Sequence, residues 1–340
     1  MSVETFPSSA PERDRFILAR RGPRASLDPS SHQGVVVEDE RAEDGHVARV
    51  ATVFLTGREC PWRCTMCDLW KHTTETDTPA GAIPKQIAAA RVQIADAAPP
   101  VDTLKVYNAG SFFDPRAVPE SDYDDIAEQF TGLDRVIVES HPALIGRRVD
   151  ALLDALDRAR SSMRAGWPAK LEVAIGLETA NPDVLDALNK RFTVDDFKAA
   201  AEALRSRGAA VRVFLLVSPP FIADTEQDTW LIRSIDVAFQ AGVSAVSLVP
   251  TRSGNGAMEA LAATGQFREP SLADVERSLA VALVAARGRG RVFVDLWDLP
   301  RFASCTMCLK GRRARLHSAN LFQTIAPSST RCADCGAAAS

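Results

Sequence analysis

Short apolar, β-branched runs alternate with amphipathic stretches along most of this chain. Residues 50–55 are the first such run, Val-Ala-Thr-Val-Phe-Leu, and read as a buried strand. A cysteine-containing loop follows, and Pro84 then opens an Ala-rich helix over 85–97. The same alternation predicts strands at 103–107, 135–139, 171–177, 211–217, 245–249 and 291–296. Helices fall between them at 122–130, 149–164, 194–207, 225–240 and 272–287, with Gly208 and Gly242 closing two of them.

Strands that alternate with helices of this length imply parallel βαβ units. Six units and a seventh strand fit either an open sheet or a barrel. Polar residues gather just after the strands: the cysteine loop, Asn108, Ser111, His141, Glu178 and Arg252. Barrel enzymes keep their chemistry at that end. The expected fold class is therefore α/β, a partial (β/α)6 TIM-type barrel open on one side, with a small C-terminal four-Cys metal module. Residues 1–46 read as a leader packing on the barrel, 47–299 as the barrel and 300–340 as the metal module. Arg13, Arg15, Arg20, Arg21 and Arg24 make the leader basic, and they read as a solvated face.

Composition narrows the classes. At 340 residues and 46% hydrophobic content the chain can bury one large domain plus an appendage. A net charge of −4 gives no global drive toward nucleic acid or anionic membrane. No apolar run approaches the roughly 20 residues of a membrane span, and the first residues lack a signal-peptide core. The seven cysteines fall into a group of three and a group of four at metal-ligand spacings, so the expected compartment is a reducing cytoplasm.

The group of three is Cys60-Pro-Trp-Arg-Cys64-Thr-Met-Cys67, C-x3-C-x2-C, directly after the first strand. Three thiolates can hold three corners of a cubane and leave one iron open, whereas an ordinary [4Fe–4S] carrier uses four cysteines. An open position marks a catalytic metal site. The alternative is zinc held by these cysteines with His72 or Asp68, although zinc loops usually pair C-x2-C with a distant C-x2-C or H-x3-5-H. The group of four, Cys305-x2-Cys308 and Cys332-x2-Cys335, has the spacing of a closed tetrahedral zinc site. An auxiliary [4Fe–4S] cluster is its alternative. Lys310, Arg312, Arg313, Arg315 and His317 lie between the pairs and read as a phosphate or RNA contact or as a solvated face.

The three-cysteine loop resembles the radical S-adenosylmethionine (SAM) superfamily. Met66 stands where that family usually has an aromatic residue. The segment Tyr107-Asn108-Ala109-Gly110-Ser111 lies where the family has a Gly-rich turn for the SAM amino group. Ile175-Gly176-Leu177-Glu178-Thr179 and the units that follow are similar to the branch of the Elongator catalytic subunit, the methylthiotransferases and coproporphyrinogen dehydrogenase. The resemblance covers residues 47–250. It implies that Cys60, Cys64 and Cys67 ligate a [4Fe–4S] cluster whose fourth iron is chelated by SAM. One-electron cleavage of SAM then gives a 5′-deoxyadenosyl radical that abstracts substrate hydrogen. It also implies SAM contacts from Met66, Asn108, Gly110, Ser111, Glu178 (ribose) and Arg212 (carboxylate), and an electron donor of flavodoxin or ferredoxin type. The basic leader, the Cys-Thr-Met-Cys loop and Asn-Ala-Gly-Ser-Phe-Phe look most like the radical SAM subunit of archaeosine synthase. That likeness implies a 7-deazaguanine-type or other modified base as substrate.

Candidate substrate contacts at the mouth are Glu139, His141, Thr251, Arg252, Asn255, Asp295 and Trp297, with His141 a proton carrier near neutral pH. Two other readings remain: a tRNA-modifying C–N lyase of archaeosine-synthase type, with RNA as partner, and a non-catalytic metal-binding scaffold.

Overall fold

A computed structural model describes residues 5–97, 99–108, 110–161, 169–326 and 331–336. Ala109, within the expected SAM turn, and 162–164, the end of one expected helix, lie outside them.

One curled sheet of eight strands organises the described residues. In chain order its strands are β1 (Gly34–Arg41), β2 (Val47–Leu55), β3 (Thr103–Asn108), β4 (Arg135–Glu139), β5 (Lys170–Glu178), β6 (Ala210–Val217), β7 (Ala245–Pro250) and β8 (Arg291–Val294). Spatial order follows chain order, and β2 to β8 are parallel. The helices between the parallel strands cover one face of the sheet. They include α2 (Ala82–Ala97), α3 (Tyr123–Gln129), α4 (Arg147–Ser161), α6 (Val194–Ser206), α7 (Gln227–Gln240) and α9 (Leu272–Ala286). This is the expected half-barrel.

Strand parity separates two environments. Val53, Val106, Val138, Val173, Val213 and their same-parity neighbours face the helices and form one continuous apolar core. The opposite parity lines the concave side, and there charged and aromatic side chains such as Lys105, Tyr107, Glu172, Arg212 and Phe214 stand among a few aliphatic ones. Near the N-terminal ends of the strands the lining is a charge network. Arg212 donates to Glu172 (2.6 Å) and Glu40 (2.5 Å), Lys105 pairs with Glu40 (2.7 Å), and Arg135 (3.0 Å) and Arg291 (3.4 Å) meet Glu172. Burial disfavours the charged Glu172 carboxylate, but Arg212, Arg291 and Arg135 outweigh it and hold its pKa below the usual carboxylate range. This network corrects the SAM-carboxylate role expected for Arg212. Its guanidinium sits low in the barrel, 1% exposed, and already has two carboxylates.

The leader is more structured than its polarity implied. It holds helix α1 (Ala10–Leu18) and strand β1, which pairs antiparallel with β2 through a turn at Asp44-Gly45. Gly45 takes φ 93°, the left-handed region that such turns need. The boundary placed at 46/47 therefore falls inside a hairpin. Three of the leader arginines are not solvated: Arg13 pairs with Asp186, and Arg21 and Arg24 with Glu59, whereas Arg15 is exposed.

At the opposite edge, helix α10 (Leu309–Phe322) runs along β8. Asn320 and Gln323 offer their side-chain amides to that edge as a strand would. Val294 N–H donates to Asn320 Oδ1 (2.9 Å) and Val292 N–H to Gln323 Oε1 (2.6 Å), and each amide NH2 returns a bond to the same residue's carbonyl (both 2.9 Å). A free edge strand is thereby closed without a ninth strand.

Candidate functional site

The cysteine loop leaves the C-terminal end of β2 and is held from three sides. A small parallel ladder joins Gly57–Arg58 to Thr73–Thr74 and closes its base. From the segment after β5, Thr65 N–H donates to Leu188 O (2.9 Å), and Asn189 Nδ2 donates to Arg63 O (2.6 Å). From the segment after β7, Asn255 Nδ2 donates to Thr65 O (2.8 Å) and Cys67 O (3.2 Å). Asn255 also caps α8 (Ala257–Ala263) by accepting from Met258 N–H (2.8 Å). The loop is thus fixed mainly through its backbone carbonyls and N–H groups, and of its thiols Cys60 Sγ makes a long contact to Trp62 O (3.6 Å).

Burial pushes the Cys60 thiol up to about 12, with Cys64 adding to the effect, and burial raises Cys64 and Cys67 as well. Cys60 feels the charge of Cys64, and Cys67 that of both, so three thiolates need a positive centre to persist together. Among the described residues, the sole group of three or more such ligand atoms within 4.8 Å of one another is the C-terminal quartet. Cys60, Cys64 and Cys67 are set wider, as ligands to separate irons of one cluster are and as ligands to a single zinc are not. The donor set fits a [4Fe–4S] cluster better than zinc with His72 or Asp68.

The turn after β3 leans directly on this loop. A Cβ on Gly110 would lie 3.1 Å from Arg58 O and 3.4 Å from Cys60 N, so only a glycine allows the approach without a shift. Asn108 is buried, with neither side-chain atom partnered. A buried amide lacking partners is costly, and this one stands beside Cys60, where a bound amino or carboxylate group would satisfy it. Ser111 instead accepts from His141 N–H (2.9 Å).

Glu178 ends β5 at a bulge, with φ 67°. Its Oε1 accepts from Lys190 Nζ at 2.8 Å. Gly176 makes room for the pair, since a Cβ there would lie 2.3 Å from Glu178 Oε1 and 3.0 Å from Lys190 Nζ. Burial opposes a charged Lys190, but Glu178, then Cys64, outweigh it and raise its pKa. Lys190 is thus a site residue that single-position reading missed. Its signal was the Leu-Asn-Lys segment, where Asn189 and Arg191 take positive φ and turn the lysine inward. Met66 packs against Val184, Leu188 and Leu216 on one side and Met258 and Leu261 on the other.

Several expected substrate contacts prove to be scaffolding. His141 stacks on Trp62 (centroids 3.6 Å, 11°), donates from Nε2 to Lys190 O (2.8 Å) and accepts at Nδ1 from Ala143 N–H (3.2 Å). Burial pushes its pKa down to about 4, so it is a neutral prop for the loop and not a proton carrier near pH 7. Thr251 bonds Val217 O (2.8 Å), and Asn255 is used as above. Arg252 pairs with Asp68 (3.3 Å) and Asp298 (3.7 Å). Glu139 and Asp295, by contrast, face the concave side with aromatic neighbours. Burial pushes Glu139 up to about 8 and raises Asp295. Phe54, Tyr107 and Phe214 stand on the same parity and stay partly open, and the exposed Trp297, in the turn beyond β8, packs edge-on to Phe54, so the upper lumen is an aromatic-walled space with two carboxyls.

In the C-terminal quartet, Cys305 Sγ lies 3.9 Å from Cys332 Sγ, and Cys308 Sγ lies 3.7 Å from Cys335 Sγ. A tetrahedron with Zn–S of about 2.3 Å has edges of about 3.8 Å. Backbone N–H groups of Cys308 and Met307 point at Cys305 and bring its thiol down to about 7. Of the nearby basic residues, Arg312 (2.8 Å) and Arg315 (2.7 Å) are tied to Glu276, while Lys310, Arg313 and His317 remain exposed.

No family model matches this chain. Archaeosine synthase subunit beta of Methanosarcina acetivorans is 29% identical over 240 residues, 67% of this chain and 65% of that protein. The protein of the same name from Thermococcus kodakarensis is 33% identical over 128 residues, 36% of each chain. The chain is similar to archaeosine synthase subunit beta. The matches span less than two thirds of these two relatives. Among solved structures, Methanocaldococcus infernus Elp3 with an N-terminal deletion shares 13% identity at a TM-score of 0.49, covering 72% of this chain and 56% of that one. Streptococcus suis SuiB bound to S-adenosylmethionine shares 14% at 0.48, covering 72% and 51%. The strand order itself carries the fold.

Proposed function

We propose that this archaeosine synthase relative is a radical SAM enzyme. Cys60, Cys64 and Cys67 would hold a [4Fe–4S] cluster, and Asn108, Gly110 and Glu178 would seat SAM beside it. The observation that carries the reading is the buried, unpartnered Asn108 amide beside Gly110, which itself packs on the Cys60 backbone. When bound, cluster and SAM supply radical hydrogen abstraction. The chain's own residues do the rest. Asn189, Asn255 and Trp62 with His141 fix the loop, the Glu178–Lys190 pair orients a hydroxylated ligand, and the lumen walls limit water.

The substrate would occupy the upper lumen. Aromatic walls suit a planar ring, and Glu139 and Asp295 suit its N–H groups, as on a deazaguanine-type or other modified base. A tRNA-borne base is the second reading, which follows the resemblance to archaeosine synthase. The C-terminal quartet would hold one zinc, on the strength of its 3.7 and 3.9 Å sulfur separations.

The test is anaerobic incubation of iron-reconstituted protein with SAM and dithionite. We expect 5′-deoxyadenosine, and none from Cys64→Ala; its absence from iron-loaded wild type would falsify the reading. Metal analysis should give one zinc per chain that disappears in Cys332→Ser, whereas loss of about four irons would mark an auxiliary cluster.

A further inference from the structure

Glu59, immediately before Cys60, is 11% exposed at its side chain and meets three guanidinium groups. Arg21 reaches its Oε1 at 2.8 Å and Arg24 its Oε2 at 2.6 Å, both from the leader between α1 and β1. Arg63, inside the cysteine loop, lies 3.2 Å from Oε1 and donates to Cys60 O (2.7 Å) and Trp62 O (3.1 Å). Arg21 also lies over the Trp70 ring, 4.9 Å from its centroid, and Arg24 donates to Thr73 O at 3.2 Å. Elsewhere around the loop Lys190 pairs with Glu178, and Arg252 is matched by Asp68 and Asp298. One carboxylate against three guanidiniums leaves two positive charges at the loop, in a chain whose net charge is −4.

Charge placed there acts on whatever the thiolates hold. Partly buried charges are weakly screened, and the potential of an iron–sulfur cluster depends on the net charge around it. A cluster gains one negative charge on reduction, so fixed cations favour the reduced form. We infer that Arg21, Arg24 and Arg63, gathered on Glu59, raise the reduction potential of a cluster bound by Cys60, Cys64 and Cys67, which makes the N-terminal leader part of the redox machinery. The inference rests on the cluster reading above.

The test is an EPR-monitored titration of the reconstituted full chain, in which each cluster takes one electron from dithionite through mediator dyes. Arg24→Gln should move the potential negative and Glu59→Gln should move it positive, while Arg24→Lys keeps the wild-type value. A loosened loop would shift both neutral variants the same way, so shifts of one sign, or no shift, overturn the inference. If Glu59→Gln does not fold, the Gln and Lys variants of Arg24 decide between charge and shape. Wild type that binds no iron overturns the cluster reading itself, and the iron count reveals this before any potential is measured.

Discussion

Glu139 and His141 lie two residues apart at one strand end, and burial drives both toward their neutral forms, to about 8 and about 4. Their uses differ. His141 has both nitrogens bonded and a ring stacked on Trp62, while the Glu139 carboxyl opens on the lumen and meets the Asn108 backbone. Between the unfolded value of 4.5 and about 8 the folded protein keeps the Glu139 proton and the unfolded chain has lost it. Stability from this group is therefore full below pH 4.5, falls as pH rises through that window and is flat above it. Glu139→Gln removes the dependence. We expect the variant to exceed wild type by about 1–3 kcal/mol on the alkaline side, after allowing for water in the lumen, and to match it in acid. Urea melts at the two extremes check this, and equal differences at both would refute it. Gly176→Ala tests the neighbouring seat. Its Cβ would displace the Glu178–Lys190 pair, so SAM affinity should fall about tenfold or more by calorimetry. Glu178 was legible in the sequence because its motif is local. Lys190 was not, because its role depends on left-handed turns at Asn189 and Arg191 that no hydrophobic pattern encodes.

Elements with strong periodicity lie where the sequence puts them: each of the seven parallel strands was legible from its apolar run. The elements it hid are the ones whose partners are distant. β1 reads Gly-Val-Val-Val-Glu-Asp-Glu-Arg, and its acids look like surface until β2 pairs with it and turns Glu38 and Glu40 toward Lys105. The Asp44-Gly45 turn was the available signal. Helix α10 was equally obscure, since its inward Asn320 and the Gln323 that follows its last turn look solvent-facing until β8 supplies backbone partners. Replacing both with Ala deletes four hydrogen bonds and strips a sheet edge. At about 1 kcal/mol each, the double variant should lose about 2–4 kcal/mol. It should also scatter light on warming, because an uncovered edge strand invites pairing with another chain. A melt unchanged in midpoint and clarity would show that α10 merely rests on the sheet.

A half-barrel leaves an interior that must be filled although one side is open, and this molecule divides the task by height. Aromatic rings and two carboxyls occupy the upper lumen near the cysteine loop, while ions tie the lower lumen together. Glu40 on β1, Lys105 on β3, Arg135 on β4, Glu172 on β5, Arg212 on β6 and Arg291 on β8 draw six of the eight strands to one point. Trp297 bridges the opening above them, with its Nε1 on Glu38 (3.2 Å) and its ring against Phe54 (5.1 Å). Only the alternation of Arg212 with apolar neighbours was visible in sequence; that it serves closure and not a cofactor depends on Glu40, which comes from a strand the sequence concealed. The network makes a sharp energetic claim. Glu172→Gln leaves Arg212, Arg135 and Arg291 sharing one fewer buried charge, and breaking such a set should cost about 3–5 kcal/mol. Adding Arg212→Gln to that variant removes an uncompensated cation, so the double variant should lose clearly less than the sum of the singles. Urea denaturation of the four proteins measures the coupling. Strict additivity would mean that these ions are solvated separately and that the half-barrel is held closed by its helices alone.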